Sequence, residues 1–522
     1  MNGIELTKNE VFTAPRDGAN ESLWQSKLHA GTESPSFNES TIYDTLIVGG
    51  GITGLTAAVL LQQQGQKCLL VDAHNLGYGT TGGTTAHINT FADTTYAEVE
   101  NDFGAEAAQQ FADDIAGAVS TIQDWVQTYK IDCDFERKQG FVYADEEKQL
   151  KELDSLFQSA VKVGVKARLA PEAPVPIPTV KVITIDDQAQ FHPLKYLMGL
   201  REVFVKAGGV ILENTRIEQT TQKDGYHEAE SESRILKAKQ IIYATHIPPG
   251  GVNPLHFEAA PYRSYVLAVT LKDKAYPDAL VYDMQDPYHY FRSHVIEGQK
   301  YLVVGGADHK TGHGDPEASF AELEAYVRQY YEVDSVAYRW SAQYYMPVDG
   351  LPYIGKLPGF SEGIFTGTGY NGNGMILGTL AGKILSDLVL GKENPSAALY
   401  DPGRVKPLAA ASEFIKENAD VAYRFVADRF STEELDSLDQ LQNDSGMVAE
   451  FSGQKVAIYK DPSGDIHAVS PVCTHTHCIV NWNNSEKSWD CPCHGARFDT
   501  DGTVLTGPAR RNLEPIELKG KA

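Results

Sequence analysis

Gly49-Gly50-Gly51-Ile52-Thr53-Gly54 lies between the apolar run YDTLIV and the helical stretch LTAAVLLQQQ, and a second apolar run, KCLLVD, follows. Strand, glycine turn, helix and strand in that order specify a βαβ unit with a G-x-G-x-x-G turn. The glycines permit a tight turn and let a pyrophosphate approach the partial positive charge of the helix N-terminus. Asp72 ends the second run, 18 residues past Gly54, where a carboxylate can accept hydrogen bonds from a ribose. A glycine triplet by itself serves any tight turn. With the acid and both strands in register, Gly49, Gly51, Gly54 and Asp72 are expected to hold a dinucleotide.

That motif leaves FAD and NAD open. Gly79–His87 (GTTGGTTAH) follows directly and offers backbone amides with the hydroxyls of Thr80, Thr81, Thr84 and Thr85. Far along the chain, Asp349–Gly355 and Gly367–Met375 (GTGYNGNGM) precede the apolar helix MILGTLAGKILSDLVL. Gly369, Asn371, Gly372, Gly374 and Met375 there place amide donors where negative charge develops on a reduced flavin. Together with AQFHPLKY (189–196), IIYATH (241–246) and Arg263-Ser264-Tyr265, these blocks resemble the D-amino-acid oxidase / glycine oxidase superfamily over about residues 41–395. The resemblance implies FAD in a Rossmann-like, glutathione-reductase-type α/β domain with an inserted α+β substrate domain. It also implies hydride transfer to flavin from a C–N bond of an amino acid or amine. Two departures stand out. The family's Ala-Thr-Gly is Ala244-Thr245-His246, and the position matching the covalent attachment histidine of some relatives is Gly83, so FAD is expected to be noncovalent. His87 is the residual candidate for attachment.

Near the C-terminus, Cys473, His475, Cys491 and His494 form C-x-H-x15-C-x2-H. Two thiolates can hold one iron and two neutral imidazoles the other, the ligand set of a Rieske [2Fe–2S] centre; zinc is the rival for a Cys/His cluster. CTHTHC, CPCHG and Gly507-Pro508-Ala509 resemble the Rieske domains of the cytochrome bc-type class. That resemblance implies a disulfide between Cys478 and Cys493, and it marks three replacements. His477 stands where that class has glycine. Ala496 and Phe498 stand where its high-potential members have a serine and a tyrosine that donate hydroxyls to the cluster. Cys68 and Cys133 are expected to be inert thiols.

The other boundaries follow from composition. Of 522 residues, 45 are Lys or Arg and 70 are Asp or Glu, a formal charge of −25 that disfavours nucleic acid and anionic membranes as partners. No apolar run approaches a membrane span, and the first twenty residues lack an apolar export segment, so a cytoplasmic location is expected. The domains expected are an N-terminal arm (1–40, with Ser22-Leu23-Trp24 as a docking point), the oxidoreductase (41–395), a connector (396–440) and a small all-β domain (441–522). Alternating amphipathic helices and β-branched runs over 90–345 fit an α/β domain with an α+β insertion. Tyr265, Tyr290 and Arg292 are the candidate catalytic residues, the arginine as a bidentate partner for a carboxylate. The expected function is a relay: amine or amino-acid substrate to FAD, then single electrons to the cluster and to a soluble acceptor, protein or quinone-like. Two alternatives remain: a reductase feeding an oxygenase, and an oxidase whose Rieske domain is a sensor or a structural module.

Overall fold

The structure is a computed structural model that describes residues 11–25, 28–29, 31–405, 410–430, 433–435 and 437–518. Strands Ile42–Val48 and Cys68–Val71 pair in parallel, with Val48 opposite Val71, and helix Ile52–Gln63 joins them. That helix is apolar on nearly every side because it is covered twice, by the sheet and by helix Gly374–Val389. The two helices approach closely at Gly378 and Gly382, where an added Cβ would lie 2.7 Å from Ile52 and 2.6 Å from Thr56. Strand Ile235–Tyr243 continues the sheet in parallel on the other side of Ile42–Val48, and Ile364–Thr368 pairs with its end.

A second, mostly antiparallel sheet runs in the order Val333–Pro347, Ala259–Leu271, Gln299–Lys310, Tyr290–Ile296, Leu280–Asp283, Glu136–Ala144, Lys181–Gln190 and His87–Ile88. Its strands come from the insertion and from the return to the dinucleotide domain, so the sheet spans one side of the cavity between them. The C-terminal region is built from short strands in two four-stranded sheets around a core that contains Cys473, Cys491, Ala496 and Phe498. The fold class expected from the sequence is therefore the one observed.

Ser22 and Trp24, described residues before Ile42, make specific contacts. Ser22 Oγ donates to the carbonyl of Gly82 (2.7 Å), the buried Trp24 donates from Nε1 to Thr84 (2.6 Å), and the Arg292 guanidinium lies 5.2 Å from the Trp24 ring. Helix Ala410–Phe430, in the connecting region, lies against the second sheet: Lys310 pairs with Glu417 and Asp420, each at 2.6 Å. Among the described residues, no helix is long and apolar enough to cross a membrane.

Candidate active site and metal centre

A cavity of about 420 Å3 opens between the two large sheets. One end is built on the glycine turn. Gly49 takes φ 111°, and a Cβ there would sit 2.3 Å from the Ala244 carbonyl; one at Gly54 would sit 1.9 Å from the Gly49 carbonyl. Those two glycines are demanded by the protein's own packing. Gly51 is different: it lines the cavity, and its Cβ would meet only the Thr81 hydroxyl, at 3.0 Å. Asp72 accepts from the amides of Gly50 (2.6 Å) and His74 (2.8 Å), and burial pushes its carboxyl up to about 6. Thr80, Thr81, Thr84 and Thr85 line the cavity beside it, and Thr81 Oγ1 accepts from the Ile52 amide at 3.2 Å. From the opposite wall, Asn371, Gly372, Gly374 and Met375 bring the start of helix Gly374–Val389 to the cavity. Gly369 does not line it; with φ 74° it is the turn glycine that sets up this loop, packed on Pro347. An open cradle at Gly51, two helix N-termini and a buried carboxylate fit FAD.

His246 explains its own departure from the family pattern. Its φ is 70°, the left-handed conformation a glycine adopts without cost, so the turn is kept and an imidazole is added. The ring packs edge-on to Tyr345 (4.7 Å) and lies 3.3 Å from Thr80 Oγ1. Both nitrogens of His87 have partners, Thr85 Oγ1 at 3.0 Å and the Phe291 carbonyl at 3.3 Å, and burial pushes its imidazole down to about 3.

Of the three candidate catalytic residues, only Tyr290 lines the cavity; its hydroxyl lies 2.8 Å from Ser264 Oγ. Tyr265 does not. Side chains alternate along strand Ala259–Leu271, so Ser264 and Val266 face the cavity while Arg263 and Tyr265 face a second, smaller one next to His309 and Trp482. Arg292 does not line it either. Its Nη1 donates to the carbonyls of Thr85 and Ala86, both at 2.8 Å, so it braces the Thr84–His87 loop from outside the cavity wall. Asp93, Asp308 and Tyr344, which no sequence pattern singles out, also line the cavity, together with Tyr288.

In the C-terminal domain Cys473 and Cys491 are free, buried and adjacent. The Cys473 thiol is held below its ordinary value because Cys491 hydrogen-bonds to it and the amides of His475 and Thr476 point at its sulfur. The rings of His475 and His494 lie 5.0 Å apart; both nitrogens of His475 and Nε2 of His494 are buried without a hydrogen-bond partner. Burial, then the neighbouring His256, pushes His475 down to about 2 and His494 to about 3, so both rings are neutral and able to ligate. Cys478 and Cys493 are joined by a disulfide that ties the two loops together. Among the described residues the tightest sulfur group is Cys478, Cys491 and Cys493, within 4.8 Å, but two of the three are spent in that bond. Two thiols beside two neutral imidazoles with orphaned nitrogens fit a [2Fe–2S] cluster. His477 is exposed with φ 63°, again a left-handed conformation that glycine adopts without cost. Cys68 and Cys133 are buried far from these groups, and burial pushes Cys133 up to about 12.

Ala496 and Phe498 are fully buried in the cluster domain, and neither carries a hydroxyl. Each missing donor removes stabilisation of the more negative reduced cluster. A midpoint in the lower half of the Rieske range, about −150 to +300 mV, is therefore expected, with a rise in Ala496→Ser. A redox titration in which the wild type sits near the top of that range, or the variant does not rise, contradicts this.

The two regions are joined by buried ion pairs. Arg16 pairs with Glu486 (3.2 Å), Glu486 Oε1 accepts from the Ser341 amide (2.9 Å), and Arg497 pairs with both Asp17 (3.1 Å) and Asp490 (3.0 Å). Tyr345 donates to the His494 carbonyl (3.0 Å) and Gln343 to that of Gly495 (3.0 Å). His256 packs edge-on to His475 at 4.6 Å. Leu505, Thr506, Gly507, Ala509 and Arg510 of the C-terminal domain complete the wall of the main cavity.

Residues 44–388 match the family described as FAD dependent oxidoreductase (DAO), and residues 433–517 match the Rieske [2Fe-2S] domain. The Bacillus subtilis (strain 168) protein YhfW, named as a Rieske 2Fe-2S iron-sulfur protein, is 32% identical over 510 residues, 96% of this chain and 98% of its own. Gamma-glutamylputrescine oxidoreductase of Escherichia coli (strain K12) is 22% identical over 369 residues, covering 68% of this chain and 85% of its own length. Among solved structures, glycine oxidase from Geobacillus kaustophilus superposes with a TM-score of 0.58 at 18% identity, over 70% of this chain and 100% of that one.

Proposed function

From a chain that belongs to the FAD dependent oxidoreductase family and carries a C-terminal Rieske [2Fe-2S] domain, we propose an enzyme that oxidises a C–N bond and passes the electrons singly through its cluster to an external acceptor. FAD when bound accepts a hydride, and a Rieske cluster exchanges one electron at a time. The observation that carries the relay is the shared wall: residues 505–507, 509 and 510 of the cluster domain line the same cavity as Gly49–Gly51. Two cavity-wall side chains, Gln343 and Tyr345, hydrogen-bond the carbonyls of Gly495 and His494. These bonds and the Arg16–Glu486 and Asp17–Arg497 pairs hold the cluster loops against the flavin domain, so the two redox groups need no large motion to meet. At the substrate end, Tyr290 and the threonine loop form the wall, while Arg292 keeps that loop in place. The relatives support an amine or amino acid as substrate, since one of them is named for gamma-glutamylputrescine and a structural neighbour for glycine. The acceptor is proposed to be a soluble protein or a quinone-like molecule.

Anaerobic mixing of the holoenzyme with a panel of amines and amino acids tests the relay. Bleaching of the flavin band should be followed by the EPR signal of the reduced cluster. A flavin that bleaches while the cluster stays oxidised would leave an oxidase with a structural Rieske module.

A further inference from the structure

The substrate end of the cavity carries acids and tyrosines and no cationic side chain. Among the described residues, the arginines lining the cavity are Arg216 and Arg510, and no lysine lines it. Both arginines sit at the dinucleotide end: Arg216 Nη2 donates to the Val504 carbonyl (2.7 Å) and approaches His74, and Arg510 Nη2 donates to the Pro249 carbonyl (2.8 Å). Arg292 lies behind the Thr84–His87 loop, outside the cavity wall, with Nη1 on the carbonyls of Thr85 and Ala86 and Nη2 2.7 Å from His294 Nδ1.

Asp308 receives the Tyr344 hydroxyl on Oδ2 at 2.9 Å, while its Oδ1 is buried with no hydrogen-bond partner. Asp93 takes the Tyr288 hydroxyl at 3.1 Å and the Gly372 amide at 2.7 Å, and the rings of Tyr288 and Tyr290 lie 5.6 Å apart. Burial raises the carboxyls of both aspartates, Asp308 to about 6. His289 also acts on Asp308, but its Nδ1 is committed to Asp283 at 2.8 Å, so among the described residues Asp308 has no salt-bridge partner. A buried carboxylate without such a partner is costly, and a ligand that brings the charge recovers that cost. Tyrosine rings around such a site add attraction for a cation. An α-carboxylate placed here would meet two acids and no guanidinium.

We propose that the substrate is recognised as a cation, an alkylammonium without a carboxylate beside the reacting C–N bond, bound by Asp308 with Asp93 among Tyr288, Tyr290 and Tyr344. This rests on the C–N oxidation proposed above and narrows it from amino acids to amines.

The probes are tert-butylammonium and pivalate, which share a shape, differ in charge and have no hydrogen on the carbon that bears the charged group. Each is titrated into oxidised holoenzyme at constant ionic strength, with the flavin difference spectrum as readout. The ammonium should give a saturable perturbation and pivalate none. Asp308→Asn should raise the ammonium Kd about tenfold or more, the scale of losing one charged hydrogen-bond partner, and Asp93→Asn should raise it also. Retained flavin content certifies that each variant is folded. Tighter binding of pivalate, no response to the ammonium, or an unchanged Kd in Asp308→Asn with full flavin overturns the proposal. The parent reading fails separately. If neither amines nor amino acids bleach the flavin, C–N oxidation falls whatever the titration gives. If amino acids bleach it and simple amines do not, C–N oxidation survives and cation recognition falls.

Discussion

Gly51→Val is expected to give folded, iron-containing protein with no flavin. The backbone at Gly51 has φ −87° and ψ −168°, extended values that valine adopts readily. A Cβ at this position meets only the Thr81 hydroxyl, at 3.0 Å, so a shift of that one side chain makes room for it. What the γ-methyls would fill is the mouth of the helix N-terminus, where a pyrophosphate must come close to the amides. Gly49→Val is the contrasting control, because its φ of 111° and the Ala244 carbonyl 2.3 Å from a Cβ forbid the side chain outright. The first variant should lose flavin and keep its iron and its circular dichroism; the second should lose all three. In the wild type, acid precipitation should leave the yellow cofactor in the supernatant, as expected for noncovalent FAD. Full flavin loading in Gly51→Val would place the pyrophosphate elsewhere.

The parts of this molecule that were legible in the sequence are those where one short segment does the whole job. The glycine turn, its strand and its acid are contiguous, and so are the two cluster loops, each with its spacing fixed by the metal it must hold. Tyr265 fails for a physical reason. Strand Ala259–Leu271 is buried on both faces, so its sequence, AAPYRSYVLAVTL, has no polar alternation to say which side meets the cavity. Arg292 lies outside the cavity wall because a buried guanidinium can brace a loop through its carbonyls as readily as it can meet a substrate, and nothing local distinguishes the two. Asp93 and Asp308 were missed because each looks like an ordinary solvated turn or strand end; they meet only when the insertion folds over the dinucleotide domain. The Arg16–Glu486 pair, 470 residues apart, is beyond any local pattern. His246 and His477 are the reverse case. Each departs from a family motif in sequence and takes a positive φ in space, the conformation that glycine adopts without cost.

Replacing either cluster thiol is expected to abolish the iron centre, and comparison with the disulfide cysteines separates ligand from tie. Cys473 and Cys491 are free and buried, and both belong to the same core cluster. His475 and His494 face one another at 5.0 Å with three buried ring nitrogens unsatisfied. Leaving those groups unpaired in the interior is unfavourable, and an iron ion bound by one nitrogen of each ring would satisfy two of the three. Serine at position 473 or 491 supplies an alcohol that does not ionise as a thiol does, so the cluster should fail to assemble and the iron content should fall to background. Alanine at 475 or 494 should act the same way. Cys478→Ser removes no ligand; it frees a loop whose partner Cα is 6.6 Å away across the disulfide. That variant should still assemble a cluster and lose it faster on warming or exposure to oxygen. The reduced wild type should give the low-average-g EPR signal of mixed nitrogen and sulfur ligation. Zinc without iron in anaerobically purified protein, or an intact signal in Cys473→Ser, would refute the assignment of these four ligands.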